Sequence, residues 1–116
     1  MSEWKNICEM EKIIPGDCEM ADLEDTEIVI CNLGGEFYAI EDTCTHDGGY
    51  LTGGIVEYGE ITCPRHSARF SVKNGKCLTP HAYDPITTYP VRIKDGMIQV
   101  MNEQENWAQH YQRNRR

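Results

Sequence analysis

Short runs of β-branched and aromatic residues alternate along the chain with pairs of turn-forming residues. The turn signals are Pro15-Gly16, Gly34-Gly35, Gly48-Gly49, Gly53-Gly54, Asn74-Gly75 and Asp95-Gly96. The runs between them, 26–31, 36–40, 60–62, 69–72, 88–93 and 97–100, each read as a strand. Asn-Gly and Asp-Gly accept the positive φ angles of two-residue primed turns, so 74–75 and 95–96 are each expected to close a hairpin. No 3.6-residue apolar period persists between residues 1 and 100. The expected fold is therefore all-β, an antiparallel sandwich or barrel. The segment from Asn102 to Arg116 is polar and buries little to offset its ordering entropy, so it is expected to fray or dock loosely. Trp107 and Tyr111 there are four apart, the spacing of one helical stripe.

Length sets the next bound: 116 residues make one domain and leave no room for a second, catalytic one. The longest apolar stretches, such as Ile28 to Cys31, fall far short of the roughly 20 residues that span a bilayer. No basic leader or apolar h-region stands at the start, which points to a cytoplasmic location with reduced thiols. Six cysteines in such a chain suggest metal ligation before disulfides wherever histidines are near. The net charge is −8, and nine acids lie within residues 1–30 against Lys5 and Lys12. Nucleic acid is thereby excluded as a natural partner. An acidic field suits steering toward a basic docking surface, and serves equally as a solubilising face.

Two segments carry chemistry, Cys44-Thr45-His46 and Cys63-Pro64-Arg65-His66, with sixteen residues between them. Each offers one thiolate and one imidazole, donors that hold iron or zinc rather than magnesium or calcium. Both fall between predicted strands beside glycines. In an extended segment residues i and i+2 project to one side, so Cys44 and His46 can reach a common centre. A structural zinc site pairs like with like, in C-x2-4-C and H-x3-5-H spacings. Here each loop pairs unlike donors, which favours an iron–sulfur cluster and leaves a zinc-binding interaction domain as the alternative.

This C-x-H and C-x-x-H pattern resembles the signature of the Rieske 2Fe-2S family. The likeness runs from about Trp4 to Val100 and includes the stretch 36–40 before the first loop and Thr88-Tyr89-Pro90-Val91 after the second. It is nearest to the small ferredoxins of bacterial aromatic-ring-hydroxylating dioxygenase systems. The resemblance implies a single Rieske domain over residues 1–104, a polar tail over 105–116, and a cluster-binding subdomain at about 43–85 on an antiparallel β base. It implies that Cys44 and Cys63 hold one iron and His46 and His66 the other, nearer the surface. The formal charges of two ferric ions, two sulfides and two thiolates cancel, whereas a four-thiolate cluster is anionic, so histidine ligation raises the potential. The implied function is one-electron transfer from a flavin-dependent, NADH-linked ferredoxin reductase to a terminal oxygenase, by a carrier expected to be a monomer and not itself an enzyme. A mononuclear hydroxylase iron would need two histidines and a carboxylate, and only His81 and His110 remain. A small subunit of a nitrite reductase, or a monooxygenase component, is the runner-up.

The remaining candidates have simpler readings. His81 follows Pro80 in the expected third loop, where the family often has a second proline, and neither it nor His110 has a cysteine at matching spacing. Cys8, Cys18, Cys31 and Cys77 read as small apolar residues, Cys31 most clearly as core. Arg65 and Arg69 bracket His66 and suit either an acidic partner rim or solvent. Tyr50 and Leu51 are expected to flank the first loop and shield it from water. High-potential relatives place a serine and a tyrosine where this chain has Ala68 and Phe70, and a loop-to-loop disulfide where it has Gly49 and Arg65. The midpoint is accordingly expected near the low end of the Rieske range, roughly −150 mV.

Overall fold

The computed structural model describes residues 3–24, 26–45, 48–65, 67–79 and 84–102. Among the described residues, ten strands form three antiparallel sheets: β1 (Trp4–Glu9), β2 (Cys18–Leu23), β3 (Thr26–Leu33), β4 (Glu36–Glu41), β5 (Val56–Glu57), β6 (Glu60–Thr62), β7 (Arg69–Ser71), β8 (Thr88–Tyr89), β9 (Val91–Lys94) and β10 (Met97–Met101). The sheet orders are β1-β10-β9, β2-β3-β4-β8 and β5-β6-β7. A three-residue 3-10 turn, Met10–Lys12, is the only helical element among the described residues.

Strand β3 explains why the chain carries a continuous apolar run instead of an alternation. Its side chains leave on opposite faces, and both faces are covered. Ile28 and Ile30 enter a cluster with Ile13, Leu23, Ala39, Ile98 and Val100. Val29 and Cys31 enter another, with Ile40, Leu51, Ile61, Phe70, Cys44 and Cys63. The central sheet thus has the β1-β10-β9 sheet on one side and the loop-bearing segment on the other. Each large side chain buried this way contributes about 1.5–3 kcal/mol.

Turn chemistry accounts for the hairpins. Asp95 and Gly96 have φ of 54° and 78° and join Lys94 to Met97 as a two-residue turn, as expected. Gly34-Gly35 and Tyr58-Gly59 do the same with four positive φ angles, and Leu23 pairs with Thr26, with Glu24 at φ of 58°. Asn74-Gly75 departs from expectation. Its hairpin closes through Ser71 and Lys76, with an N–H···O bond of 2.8 Å, around a four-residue loop in which only Gly75 has positive φ. The reason is tertiary: a Cβ on Gly75 would fall 2.0 Å from the Ile86 carbonyl oxygen, and the Gly75 carbonyl accepts the Ile86 N–H at 2.8 Å. The expected strand 88–93 is divided by Pro90, which lacks an N–H for the ladder, so β8 joins the central sheet and β9 the other. Strands β1, β2 and β5 were not expected from the pattern.

Candidate metal centre

The third sheet, spanning residues 56–71, and the loops around it place the two cysteines of the motif. Cys44 follows β4, and Cys63 follows β6. Both thiols are buried, at 0% and 1% exposure, and both border the apolar cluster beneath β3. Neither is in a disulfide.

The two loops share one backbone pattern. The Cys44 N–H donates to the Gly49 carbonyl (2.7 Å), and the Gly48 N–H donates back to the Cys44 carbonyl (2.7 Å). Likewise, the Cys63 N–H donates to the Ala68 carbonyl (2.7 Å), and the Ser67 N–H donates to the Cys63 carbonyl (3.1 Å). Gly48 and Ser67, each four residues after its cysteine, are both left-handed, with φ of 78° and 63°. Each cysteine therefore opens an equivalent tight knuckle, although the intervening sequences differ.

Three further ties hold the knuckles. The buried Asp42 carboxylate accepts the N–H groups of Leu51 (2.7 Å) and Thr52 (2.9 Å) through Oδ1, and the Thr52 hydroxyl through Oδ2. Arg65 reaches from the second loop to the first, where its Nη1 donates to the Tyr50 carbonyl (2.8 Å). Thr45 Oγ1 donates to the Asp84 carbonyl (2.6 Å), joining the first loop to the segment after residue 83. Arg69 instead pairs with Glu60 at 2.8 Å across β6 and β7.

His46, His66, Pro80, His81 and His110 lie outside the described residues, as does the segment 103–116 with Trp107 and Tyr111. Leu51 is fully buried as expected, but Tyr50 is 55% exposed and does not shield the loop. The Leu51 N–H is drawn inward by Asp42, which turns the adjacent tyrosine out, where a hydrogen bond to Glu27 raises its pKa. Sequence reasoning did not single out Asp42 or Ser67. The only signal for Asp42 was an acid between an apolar strand and the first motif, and Ser67 left none.

Two buried thiols opening equivalent loops fit a centre that takes two thiolates, and burial of such anions calls for a compensating metal charge. The residues present thus fit an iron–sulfur cluster. Residues 3–90 match the Rieske [2Fe-2S] domain family, and the chain belongs to it. It is an electron-transfer protein with a Rieske 2Fe-2S cluster rather than a catalyst. It is 41% identical over 91 residues to the 3-phenylpropionate/cinnamic acid dioxygenase ferredoxin subunit of Escherichia coli K12, covering 70% of this chain and 86% of that one. The ferredoxin of carbazole 1,9a-dioxygenase from Nocardioides aromaticivorans IC177 superposes with a TM-score of 0.80 at 27% identity, over 84% of this chain and 95% of that one. A chain from a complex of reduced oxygenase and oxidized ferredoxin in carbazole 1,9a-dioxygenase gives 0.82 at 28% identity, over 88% and 95%. No described helix is long and apolar enough to cross a membrane.

Proposed function

We propose that the chain is the ferredoxin of an aromatic-ring dioxygenase system, accepting single electrons from a flavin-dependent reductase and delivering them to a terminal oxygenase. The observation that carries this reading is the 41% identity to a dioxygenase ferredoxin subunit across the stretch that holds both motifs. We assign Cys44, Cys63, His46 and His66 as the ligands, within a cluster-binding subdomain at about 43–85. When bound, the cluster takes up and releases one electron without bond rearrangement. The chain supplies buried thiolates at Cys44 and Cys63, excludes water with Leu51 and Phe70, and holds the loop spacing through Asp42 and Arg65. The carrier works as a cytoplasmic monomer in this reading, and its acidic surface guides it to basic partner faces.

The test is spectroscopic and kinetic. Purified protein is expected to show a Rieske electron paramagnetic resonance signal that His66→Cys disturbs and His81→Ala leaves intact. An unchanged signal in the first variant would remove His66 from the ligand set. Reduction by a flavin-dependent NADH reductase, followed by reoxidation on adding a ring-hydroxylating oxygenase with its substrate, checks the carrier role. A colourless zinc protein would overturn it.

A further inference from the structure

Outside the metal centre, strand register brings together, among the described residues, one pair of nucleophilic side chains. Cys18 on β2 and Cys31 on β3 are direct cross-strand partners. Their neighbours Asp17 and Asn32 are joined by an N–H···O bond of 3.0 Å, so the cysteines occupy the adjacent non-hydrogen-bonded position. There the Cα atoms of an antiparallel pair approach to about 4.5 Å, and side chains on one face are closest. Disulfides require Cα separations of about 4.4–6.8 Å, so the site admits a bridge at the short end of the range. Both thiols are free.

The environment divides the labour between them. Strand β2 is the edge of its sheet and Cys18 is half-buried, whereas Cys31 is fully buried in the cluster that also holds Cys44 and Cys63. The interaction with Cys31 across the strands lowers the Cys18 pKa against the opposing effects of burial and of Asp17, Glu19 and Asp42. The same interaction, with burial, raises that of Cys31. Cys18 is therefore the accessible nucleophile and Cys31 its buried neighbour.

We propose that Cys18 and Cys31 form a reversible two-electron redox site, closing to an intrachain disulfide by exchange with small-molecule disulfides. The Cys18 thiolate attacks one sulfur of the small disulfide; that S–S bond breaks, and the leaving thiolate takes a proton. Cys31 then gives up its proton, and its sulfur displaces the second small thiolate from Cys18. Two protein thiols are oxidised to one disulfide while one small disulfide is reduced to two thiols. A bridge at the short end of the allowed separation is strained and hence readily reduced, which makes the site reversible.

The test uses the cluster-loaded chain, with visible absorption followed to verify that the cluster stays intact. After incubation with oxidised glutathione, the intact mass is expected to fall by two hydrogens with no adduct. Non-reducing peptide mapping is expected to join Cys18 to Cys31, and dithiothreitol to restore both thiols. Cys31→Ala is expected to trap glutathione on Cys18, and Cys18→Ser to abolish both products. Mapping of the native chain decides the matter even where a core variant fails to fold. Two thiols left free, a glutathione adduct persisting on Cys18 in the native chain, or reaction at Cys8 or Cys77 in their place would each overturn the proposal.

Discussion

The guanidinium of Arg65 lies against Gly49, so closely that a Cβ added at Gly49 would fall 2.6 Å from Arg65 Cζ. The two loops are held by a side chain that crosses between them and donates to the Tyr50 carbonyl at 2.8 Å. The tie is charged, solvent-facing and reversible.

Removing that tie is expected to loosen the centre without unfolding the domain. An exposed charge-assisted hydrogen bond contributes about 1 kcal/mol, so Arg65→Ala is expected to speed cluster loss to a chelator roughly fivefold. Gly49→Ala displaces the same guanidinium and should act in the same direction. The decay of visible absorption under chelation measures both, and unchanged rates would show that the contact does not restrain the loops.

Asp42 is the second restraint. Asp42→Asn keeps the shape but removes the charge and sets an amide donor either against the two backbone N–H groups or against the Thr52 hydroxyl. Leaving buried donors unmatched costs about 1–3 kcal/mol. The urea midpoint should fall accordingly with little change in slope. A midpoint equal to that of the native chain would mean that the loop finds other partners.

Potential depends on hydrogen bonds to the sulfurs. Ala68 and Phe70 are buried and carry no hydroxyl, so the native midpoint is expected at roughly −150 mV. Ala68→Ser with Phe70→Tyr should raise it. One bond stronger by about 1 kcal/mol in the reduced state corresponds to roughly 40 mV, since 59 mV is tenfold for one electron. Redox titration of both proteins checks the sign, and a clearly positive native midpoint would contradict the low-potential assignment.

Tyr58 sits at the tip of the β5–β6 hairpin with φ of 56° and 92% exposure, and makes an unfavourable left-handed turn residue. Tyr58→Asn is expected to stabilise the domain by up to about 1 kcal/mol, raising Tm by a few degrees. Ser67→Val should do the reverse, since φ of 63° disfavours a β-branched side chain. Calorimetry of the two variants would show opposite shifts, and a lower Tm for Tyr58→Asn would mean that its ring makes contacts that outweigh the strain.

Features encoded over a few adjacent residues were legible in the sequence. The turn at Asp95-Gly96 was one, and strand β6 was expected with the bounds the structure gives. The paired motifs pointed to two soft-donor loops, and Cys44 and Cys63 are found buried at the start of two equivalent knuckles. Strands β1 and β2 were not legible, because their stability lies in distant or merely paired partners. Trp4 finds Met101 across nearly the whole chain, and the stretch from Cys18 to Leu23, which has no β-branched or aromatic residue, becomes a strand only against β3. The tertiary structure alone decided that Asp42 pins Leu51, that Arg65 crosses to Gly49, and that Cys18 faces Cys31. Each of these depends on strand register and on close approach of separate segments, and short-range hydrophobic patterning carries no information about either.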